Sequence, residues 1–244
     1  MGVDEKMAGK QSYFVWRGVD CRSKGIKLSG PVPIVRPEER VTHVQIPGRS
    51  GDLTQLEGTN IFNSYIQTAS ILVPRWYNVR EIYSWLRGSG YVTFSGEPDR
   101  KQPARIIGAI TLNKHSHNLD WWVGEVQFYC QPLKQKLSES VNTLSASGTV
   151  TNNGDVACYP RILATASAST MSISVNGKTL EITGLTSSNS YYIDSDIMDV
   201  LTADETTILT ADSSGPFPVL EVGDNVIGGS GWSSLRIERR ERFL

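Results

Sequence analysis

The stretch NVREIYSWLRGSGYVTFSGEPDRKQPAR, residues 78–105, carries the clearest helix signal of the chain and runs directly into a strand. Asn78 is a residue type that caps helix N-termini, and Glu81 three positions later completes a capping box. Apolar residues then follow at the spacing of one helix face, namely Val79, Ile82, Tyr83, Trp85 and Leu86. Because Gly88 and Gly90 favour a helix end, the sequence predicts one helix over about residues 78–87 with a buried apolar stripe.

Most of the remaining sequence alternates in the manner of strands, which predicts a mainly β fold with this helix as a plug. The strand candidates of the first half are 12–19, 41–46, 62–73, 91–95, 104–112 and 121–130. Residues 41–46, VTHVQI, are predicted to be a half-buried strand. The last two candidates are predicted to pair antiparallel across the polar loop His115–Asn118.

The composition changes after about residue 136, where Ser, Thr, Asn and Gly become frequent and the strand candidates become short. Asn176-Gly177 is the strongest hairpin signal, because both residues tolerate the positive φ of a type I′ turn. Closely spaced strands with turns between them predict a β-sandwich or jelly roll. We therefore divide the chain into a loose polar leader (1–11), an N-terminal β domain (12–137) and a C-terminal sandwich (138–244).

Length and composition set bounds on function. The chain has 244 residues, is 39% hydrophobic and 20% charged, and has a net charge of −1. We therefore expect neither specific nucleic-acid binding nor membrane association. The cysteines, Cys21, Cys130 and Cys158, are odd in number and widely spaced, which favours buried, inert thiols over disulfides or a zinc site and fits folding in a reducing cytoplasm.

Few residues suggest chemistry. His115 and His117 would share one face of an extended segment, but a metal site needs further ligands, and a solvated loop is favoured. The acidic cluster Asp194, Asp196, Asp199 and Asp204 lacks the spacing of a calcium loop and is typical of turns. A carboxylate pair for glycoside hydrolysis forms only in space, so a hydrolase stays open as a weak alternative. We expect no catalytic residue, metal or cofactor.

Two kinds of segment suggest contacts with other molecules. We expect two segments to extend from the surface and contact other subunits: the proline-rich segment 30–37 and the glycine-containing loop 47–60. Each is equally well explained as a self-contained surface loop. The candidate contact residues are Pro31, Pro33, Arg36, Pro37, Arg49 and Asp52. Tyr191, Tyr192 and Trp232 are candidate sugar contacts, with burial between sheets as the alternative. The mixed charges of 236–242 predict a strand edge with salt bridges.

An ordered set of motifs resembles the siphophage distal tail protein (Dit) family of phages that infect Gram-positive bacteria. In the first half the motifs are Phe14–Val19, Pro31–Pro37, Val44–Leu53, Ile82–Leu86 followed by Phe94–Asp99, and Val126–Pro132. In the second half they are Val175–Gly177, Tyr192–Asp196, Pro218–Asn225 and the basic last strand. The resemblance covers residues 12–244, and the leader is longer than the family pattern suggests.

This resemblance implies a split-barrel-like N-terminal β domain with one helix and a galectin-like C-terminal β-sandwich. It implies a virion structural protein rather than an enzyme: a homohexameric ring at the distal end of the tail, assembled in the host cytoplasm, with DNA passing through its lumen. The implied partners are the major tail tube protein, the tape-measure protein, the tail-associated lysin or hub protein, and receptor-binding proteins. The alternative is a carbohydrate-binding module of the tail tip that contacts cell-wall polysaccharide.

Overall fold

In a computed structural model, the chain is described over residues 12–114 and 120–244. It divides into two compact units: the first ends at Lys134 and also includes Leu244, and the second is Gln135–Phe243. Strands in both units pair antiparallel, and the predicted mainly β fold class is confirmed. The predicted leader, 1–11, and the histidines His115 and His117 lie outside the described residues.

The first unit consists of antiparallel strands and one short helix, α1 (Val79–Trp85). Its strands are β1 (Phe14–Trp16), β2 (Val19–Asp20), β3 (Lys27–Leu28), β4 (Val41–Gln45), β5 (Asp52–Leu56), β6 (Tyr65–Pro74), β7 (Ser89–Phe94), β8 (Arg100–Ile107), β9 (Leu112–Lys114) and β10 (Trp121–Cys130). The main sheet has the order β2-β1-β7-β8-β10-β6-β3, and β9 pairs with β10. Strands β4 and β5 form a separate two-stranded sheet.

The core of the first unit follows from strand alternation. β6 and β10 pair over their whole length, from Trp121 opposite Pro74 to Cys130 opposite Tyr65. Every second side chain of β10 therefore points inward, and Phe128 is fully buried. The rings of Phe14 and Trp16 meet Phe128 with centroids 5.3 and 5.6 Å apart. These aromatic contacts join β1 to the centre of the sheet.

Helix α1 begins at the predicted cap Asn78, although the hydrogen bonds differ from those of a capping box. The Asn78 side chain accepts a hydrogen bond from the backbone N–H of Arg80 at 3.1 Å and donates one to the Glu81 carboxylate at 3.2 Å. Ile82 is buried, but Tyr83 is 41% exposed, so its assignment to the buried stripe was wrong. Tyr83 lies about 100° around the helix from Ile82, and a helix this short turns only one narrow face to the core. In the described part of the chain, no helix is long and apolar enough to span a membrane.

The second unit contains two five-stranded antiparallel sheets. Its strands are β12 (Val141–Leu144), β13 (Gly148–Asn152), β14 (Arg161–Ala166), β15 (Met171–Val175), β16 (Lys178–Ile182), β17 (Ser190–Asp194), β18 (Asp199–Thr202), β19 (Ser213–Ser214), β20 (Gly223–Ser230), β21 (Trp232–Glu238) and β22 (Arg242–Phe243), while β11 (Lys134–Lys136) runs across the unit boundary in sequence. The sheet orders are β12-β21-β14-β17-β18 and β13-β20-β15-β16-β19. One continuous apolar core takes side chains from both sheets, which makes the unit a β-sandwich.

The three cysteines, Cys21, Cys130 and Cys158, are free and buried. Burial raises the pKa of each thiol, in Cys130 and Cys158 to about 12. A thiol with such a pKa stays protonated at neutral pH and is a poor nucleophile and metal ligand. The prediction of buried, inert thiols is confirmed.

Candidate functional site

The proline-rich segment is partly anchored in the first unit. Val32 belongs to the apolar core and is 8% exposed, and Pro37 is also buried. The residues between these anchors that face solvent are Pro33, Ile34 and Arg36, and Pro31 just before them is exposed as well. Of the candidate contact residues in this segment, Pro31, Pro33 and Arg36 are thus available to another molecule, whereas Pro37 packs within its own unit.

The loop predicted at 47–60 overlaps a larger feature, which we call the exposed hairpin: β4, β5 and the turn between them, residues 41–56. Residues 52–56 of the predicted loop form strand β5. The register runs from Val41 opposite Leu56 to Gln45 opposite Asp52. At the base of the hairpin, Glu39 forms an isolated antiparallel β-bridge with Phe62, whose side chain is buried. Gly48 and Gly51 in the turn have φ angles of 79° and 80°, which residues with a side chain rarely adopt.

The exposed hairpin presents apolar side chains to solvent on both of its faces. Val44 and Leu53, which are 39% and 46% exposed, pair on one face. Leu56, which is 60% exposed, pairs with Val41 on the other. The strand predicted over 41–46 is present as β4, but the prediction that it is half-buried was wrong. Val41 and Val44 are separated by an odd number of positions, so they point to opposite faces, and neither face packs on the core.

The tip of the exposed hairpin carries the other two candidate contact residues. Arg49 and Asp52 are both exposed, and together with Ile46 and Pro47 they line a concave region of about 450 Å³. The N–H of Arg49 donates to the carbonyl of Ile46 at 3.1 Å, which closes the turn. The tip thus combines both signs of charge with an apolar side chain that is 38% exposed, Ile46.

An isolated two-stranded hairpin is marginally stable in water, because it buries little apolar surface and leaves the outer hydrogen-bonding groups of both strands to solvent. The exposed hairpin has both properties within its own chain. Strand edges of this kind accept a further strand. A partner that covers exposed apolar side chains lowers the free energy of the system. The exposed hairpin is therefore suited to association with another chain.

The candidate sugar contacts of the second unit offer little free ring surface. Tyr191 is 5% exposed, and its hydroxyl accepts a hydrogen bond from the N–H of Thr186 at 2.8 Å. The guanidinium of Arg161 lies 4.1 Å from the ring centroid of Tyr192 and covers one face. Trp232 is partly buried and packs against the sandwich core. Burial between the sheets was the alternative predicted from sequence for these residues. Tyr191 and Trp232 fit that alternative.

The acidic cluster of the second unit is held by two arginines near the C-terminus and by a local hydroxyl. Arg240 donates to both oxygens of Asp194 at 2.8 and 2.9 Å, and Arg242 donates to Asp196 at 3.0 Å. Asp204 accepts from the hydroxyl of Thr202 at 2.5 Å. Each of these carboxylates is thus engaged within the protein, and the described residues contain no group of His, Cys, Asp and Glu side chains suited to hold a metal ion.

A second ion-pair cluster contains Glu241, which is 1% exposed. Lys136 forms a short ion pair with its carboxylate, Arg239 approaches to 3.2 Å, and the N–H of Asn153 donates at 2.9 Å. Burial by itself raises the pKa of this carboxyl, but the hydrogen bonds and the cationic neighbours outweigh it, so the pKa is lowered overall. The charges of 236–242 thus form internal salt bridges rather than an anion-binding groove.

Sequence reasoning missed the surface around Trp76, in the turn between β6 and α1. Trp76 is 79% exposed. Its sequence signal was its position two residues before the helix cap Asn78, in a turn that follows Pro74. A turn has no repeating pattern of apolar residues, so the sequence does not show whether a bulky apolar residue in it is buried.

No protein-family model and no curated protein matches the chain. Among solved structures, the Dit protein of phage SPP1, described as a paradigm of the hub of the adsorption apparatus in phages infecting Gram-positive bacteria, matches with a TM-score of 0.77 and 17% identity over 96% of this chain and 100% of that one. Chains from two structures of the activated phage P2 baseplate, one with calcium and one with strontium, match with TM-scores of 0.51 and 0.52 at 8% and 9% identity, each over 96% of this chain and 99% of the other. The predicted resemblance to Dit proteins is thus confirmed at the level of the fold.

Proposed function

We propose that this chain, which has the fold of a phage hub protein, is itself a structural component of a phage tail tip: a distal tail protein that assembles into a hexameric ring. The observation that carries the proposal is the fold match with SPP1 Dit along essentially the whole of both chains. A match of this extent includes both units, whereas a shared common domain would cover only one. Because the neighbours are described as hub and baseplate proteins, we propose no catalytic activity.

We propose that the N-terminal domain, 12–137, forms the ring and that the C-terminal sandwich, 138–244, is a separate domain. A closed ring of identical subunits needs a heterologous interface, in which one surface of a subunit meets a different surface of the next. The exposed hairpin is the best candidate for one of these surfaces, because its apolar side chains lie open on both faces. The exposed residues of the proline-rich segment, Pro31, Pro33 and Arg36, are further candidates for the interface.

The proposed location is the distal end of the virion tail, after assembly in the host cytoplasm. There the ring joins the tail tube protein and the tape-measure protein to a tail-associated lysin or hub protein and to receptor-binding proteins. DNA passes through the lumen without specific binding, and a net charge of −1 supports this, because the chain as a whole does not attract the phosphate backbone. We do not propose that the C-terminal sandwich binds sugar, because no observation on Tyr191, Tyr192 or Trp232 favours it.

The oligomeric state of the purified full-length chain tests the proposal. We expect light scattering behind size-exclusion chromatography to give six times the chain mass of 26.9 kDa, and negative-stain images to show rings. A chain that remains monomeric at high concentration, and also when the neighbouring tail proteins are added, contradicts the proposal.

A further inference from the structure

The side chain of Trp76 is exposed and yet held in place. Trp76 is 79% exposed, which is the highest value among the large apolar side chains of the described residues. A Cβ added to Gly25 would lie 3.6 Å from the six-membered ring of Trp76 and 3.2 Å from Cγ of Pro74. The indole thus lies against the backbone of Gly25, which leaves the rest of the ring open to solvent. Such a ring loses little conformational freedom when a ligand stacks on it.

The open side of Trp76 belongs to a pocket of about 580 Å³, which is lined by Pro74, Arg75, Trp76, Asp120 and Trp121. Two strands fix its walls, because Pro74 at the end of β6 pairs with Trp121 at the start of β10. The N–H of Arg75 also donates to the carbonyl of Asp120 at 2.8 Å. The volume lies within the range of small-ligand pockets, about 300–1,000 Å³.

The polar residues Arg75 and Asp120 line this pocket together with its two indoles, Trp76 and Trp121. The Lys27 ammonium lies 4.9 Å from the ring centroid of Trp121. The Arg75 guanidinium lies 5.8 Å from the ring centroid of Trp122, which is next to Trp121 in sequence and outside the pocket lining. A guanidinium has five N–H donors and a carboxylate accepts several hydrogen bonds, so Arg75 and Asp120 can bind a ligand in addition to their partners within the protein. The pocket therefore offers aromatic faces, donors and an acceptor side by side.

This combination matches the chemistry of a sugar. The axial C–H bonds of a pyranose carry partial positive charge and stack on the negative face of an indole, while the equatorial hydroxyls need donors and acceptors at the rim. We propose that the pocket binds a saccharide, with one pyranose ring stacked on Trp76 and its hydroxyls bound by Arg75 and Asp120. This inference goes beyond the proposed ring function, and it places sugar binding in the first unit rather than at the residues predicted in the second.

A protein partner fits the pocket less well. A surface that docks a protein is usually an extended apolar patch around its central aromatic residue. The exposed hairpin has that character, with Val44, Leu53 and Leu56 close together. The residues that line the pocket with Trp76 are a second tryptophan, a proline, a cation and an anion. An exposed aromatic ring among charged side chains favours a small polar ligand.

Titration of the full-length chain with two soluble tetrasaccharides tests the proposal: neutral tetra-N-acetylglucosamine and anionic tetragalacturonate, followed by calorimetry and tryptophan fluorescence. We expect at least one to bind with a millimolar dissociation constant, and Trp76→Ala to weaken that binding about tenfold, as for the loss of one stacking platform. Trp76→Phe should retain part of the affinity. Ile66→Ala, a substitution at a side chain that is 54% exposed on the same strand ladder, should bind like the wild type. A preference for the anionic probe would assign a direct role to Lys27 and Arg75.

The proposal is overturned if neither probe binds the wild type at 10 mM, or about ten times the dissociation constant expected for weak saccharide binding. It is also overturned if Trp76→Ala binds as well as the wild type, or if that variant loses self-association, which would make the pocket a contact between copies. Light scattering on the same samples separates this test from that of the ring. A chain that forms rings but binds neither probe refutes only the saccharide site, and a monomeric chain that binds a probe refutes only the ring.

Discussion

The chain contains two antiparallel hairpins with similar local signals and opposite environments. The hairpin β15–β16 turns at Asn176-Gly177, with φ angles of 50° and 82°, and alternates strictly, so that Met171, Ile173 and Val175 are all buried. The exposed hairpin β4–β5 turns through Gly48 and Gly51, but its apolar side chains point both ways and remain in solvent. The first hairpin completes its packing within its own unit, and the second does not.

The difference separates a hairpin whose apolar residues serve folding from one whose apolar residues, we propose, serve assembly. In β15–β16 every second residue is apolar, and a single buried face determines register and position. In β4–β5 apolar residues on both faces would be a cost to a monomer, because exposed apolar surface invites association. In the proposed ring they become favourable, because a neighbouring subunit covers them. Substitutions in the two hairpins should therefore act on different quantities: on stability in β15–β16 and on assembly in β4–β5.

The largest contrast is expected from a charge placed at matched apolar positions. Ile173→Asp puts a carboxylate at a side chain that is 1% exposed, whereas Val44→Asp puts it at one that is 39% exposed. A buried unpaired charge should lower the free energy of unfolding by about 4 kcal/mol, and an exposed one by less than about 0.5 kcal/mol. Urea denaturation followed by circular dichroism measures both, at a chain concentration low enough that light scattering shows monomers, because assembly itself stabilises the folded state. Equal losses in the two variants would show that the exposed hairpin is part of the core.

A slightly smaller effect is expected at the buried carboxylate of the second unit. Glu241→Gln leaves Lys136 and Arg239 without their counter-charge and should lower the free energy of unfolding by about 3 kcal/mol at pH 7. The pKa of Glu241 is lowered below 4.5 in the folded chain. Its contribution is therefore fully present above pH 4.5 and is lost as the pH falls through the folded pKa. Denaturation at pH 7 and pH 3 should show the variant and wild type converging at the lower pH.

The matched control for this prediction is Glu57→Gln in the first unit. Glu57 lies 3.9 Å from Arg40 near the base of the exposed hairpin, and both side chains are about half exposed. Exposed ion pairs contribute less than about 1 kcal/mol, so the control should change stability little at either pH. A loss at Glu57 as large as that at Glu241 would contradict the assignment of the two environments.

The smallest effect is expected at the turns. Gly177 and Gly48 have φ angles of 82° and 79°, and a Cβ added to either meets no atom within 4 Å, so an alanine at each site tests backbone strain alone. Gly177→Ala should lower the free energy of unfolding by about 1 kcal/mol. Gly48→Ala should leave global unfolding unchanged, because the hairpin is not part of the core, and should weaken self-association instead. Thermal unfolding and light scattering separate the two results, and a lower melting temperature for Gly48→Ala would argue against a free hairpin.

Local signals explain what the sequence could predict. The Asn78 cap, the Asn176-Gly177 turn and the antiparallel pairing of β8 with β10 depend on residues near in sequence or on strand alternation, and all three are present in the structure. The resemblance to Dit proteins succeeded for another reason: it rested on the order of many weak motifs along the whole chain, and the order of elements determines a fold.

The features that sequence could not predict depend on distant or external partners. The turn chemistry predicted for the acidic cluster is present, since the N–H of Asp196 donates to the Asp194 carboxylate at 3.1 Å. Arg240, however, pairs with Asp194 across 46 positions, and no local pattern shows that ion pair. Val44 is 39% exposed because neither face of its hairpin packs on the core, and the local sequence pattern of β4 does not show that. Trp76 stands in a turn, where its exposure is decided by the packing of its ring against Gly25.

The central claim is that the apolar faces of the exposed hairpin serve assembly, and the mass of the particle in solution tests it most directly. Light scattering should compare the wild type with the double variant Val44→Asp, Leu53→Asp and with a control, Val222→Asp, Val226→Asp, at apolar residues of the second unit that are 55% and 64% exposed. We predict hexamers for the wild type and the control, and folded monomers for the hairpin variant. Hexamers of unchanged stability in the hairpin variant would contradict the account.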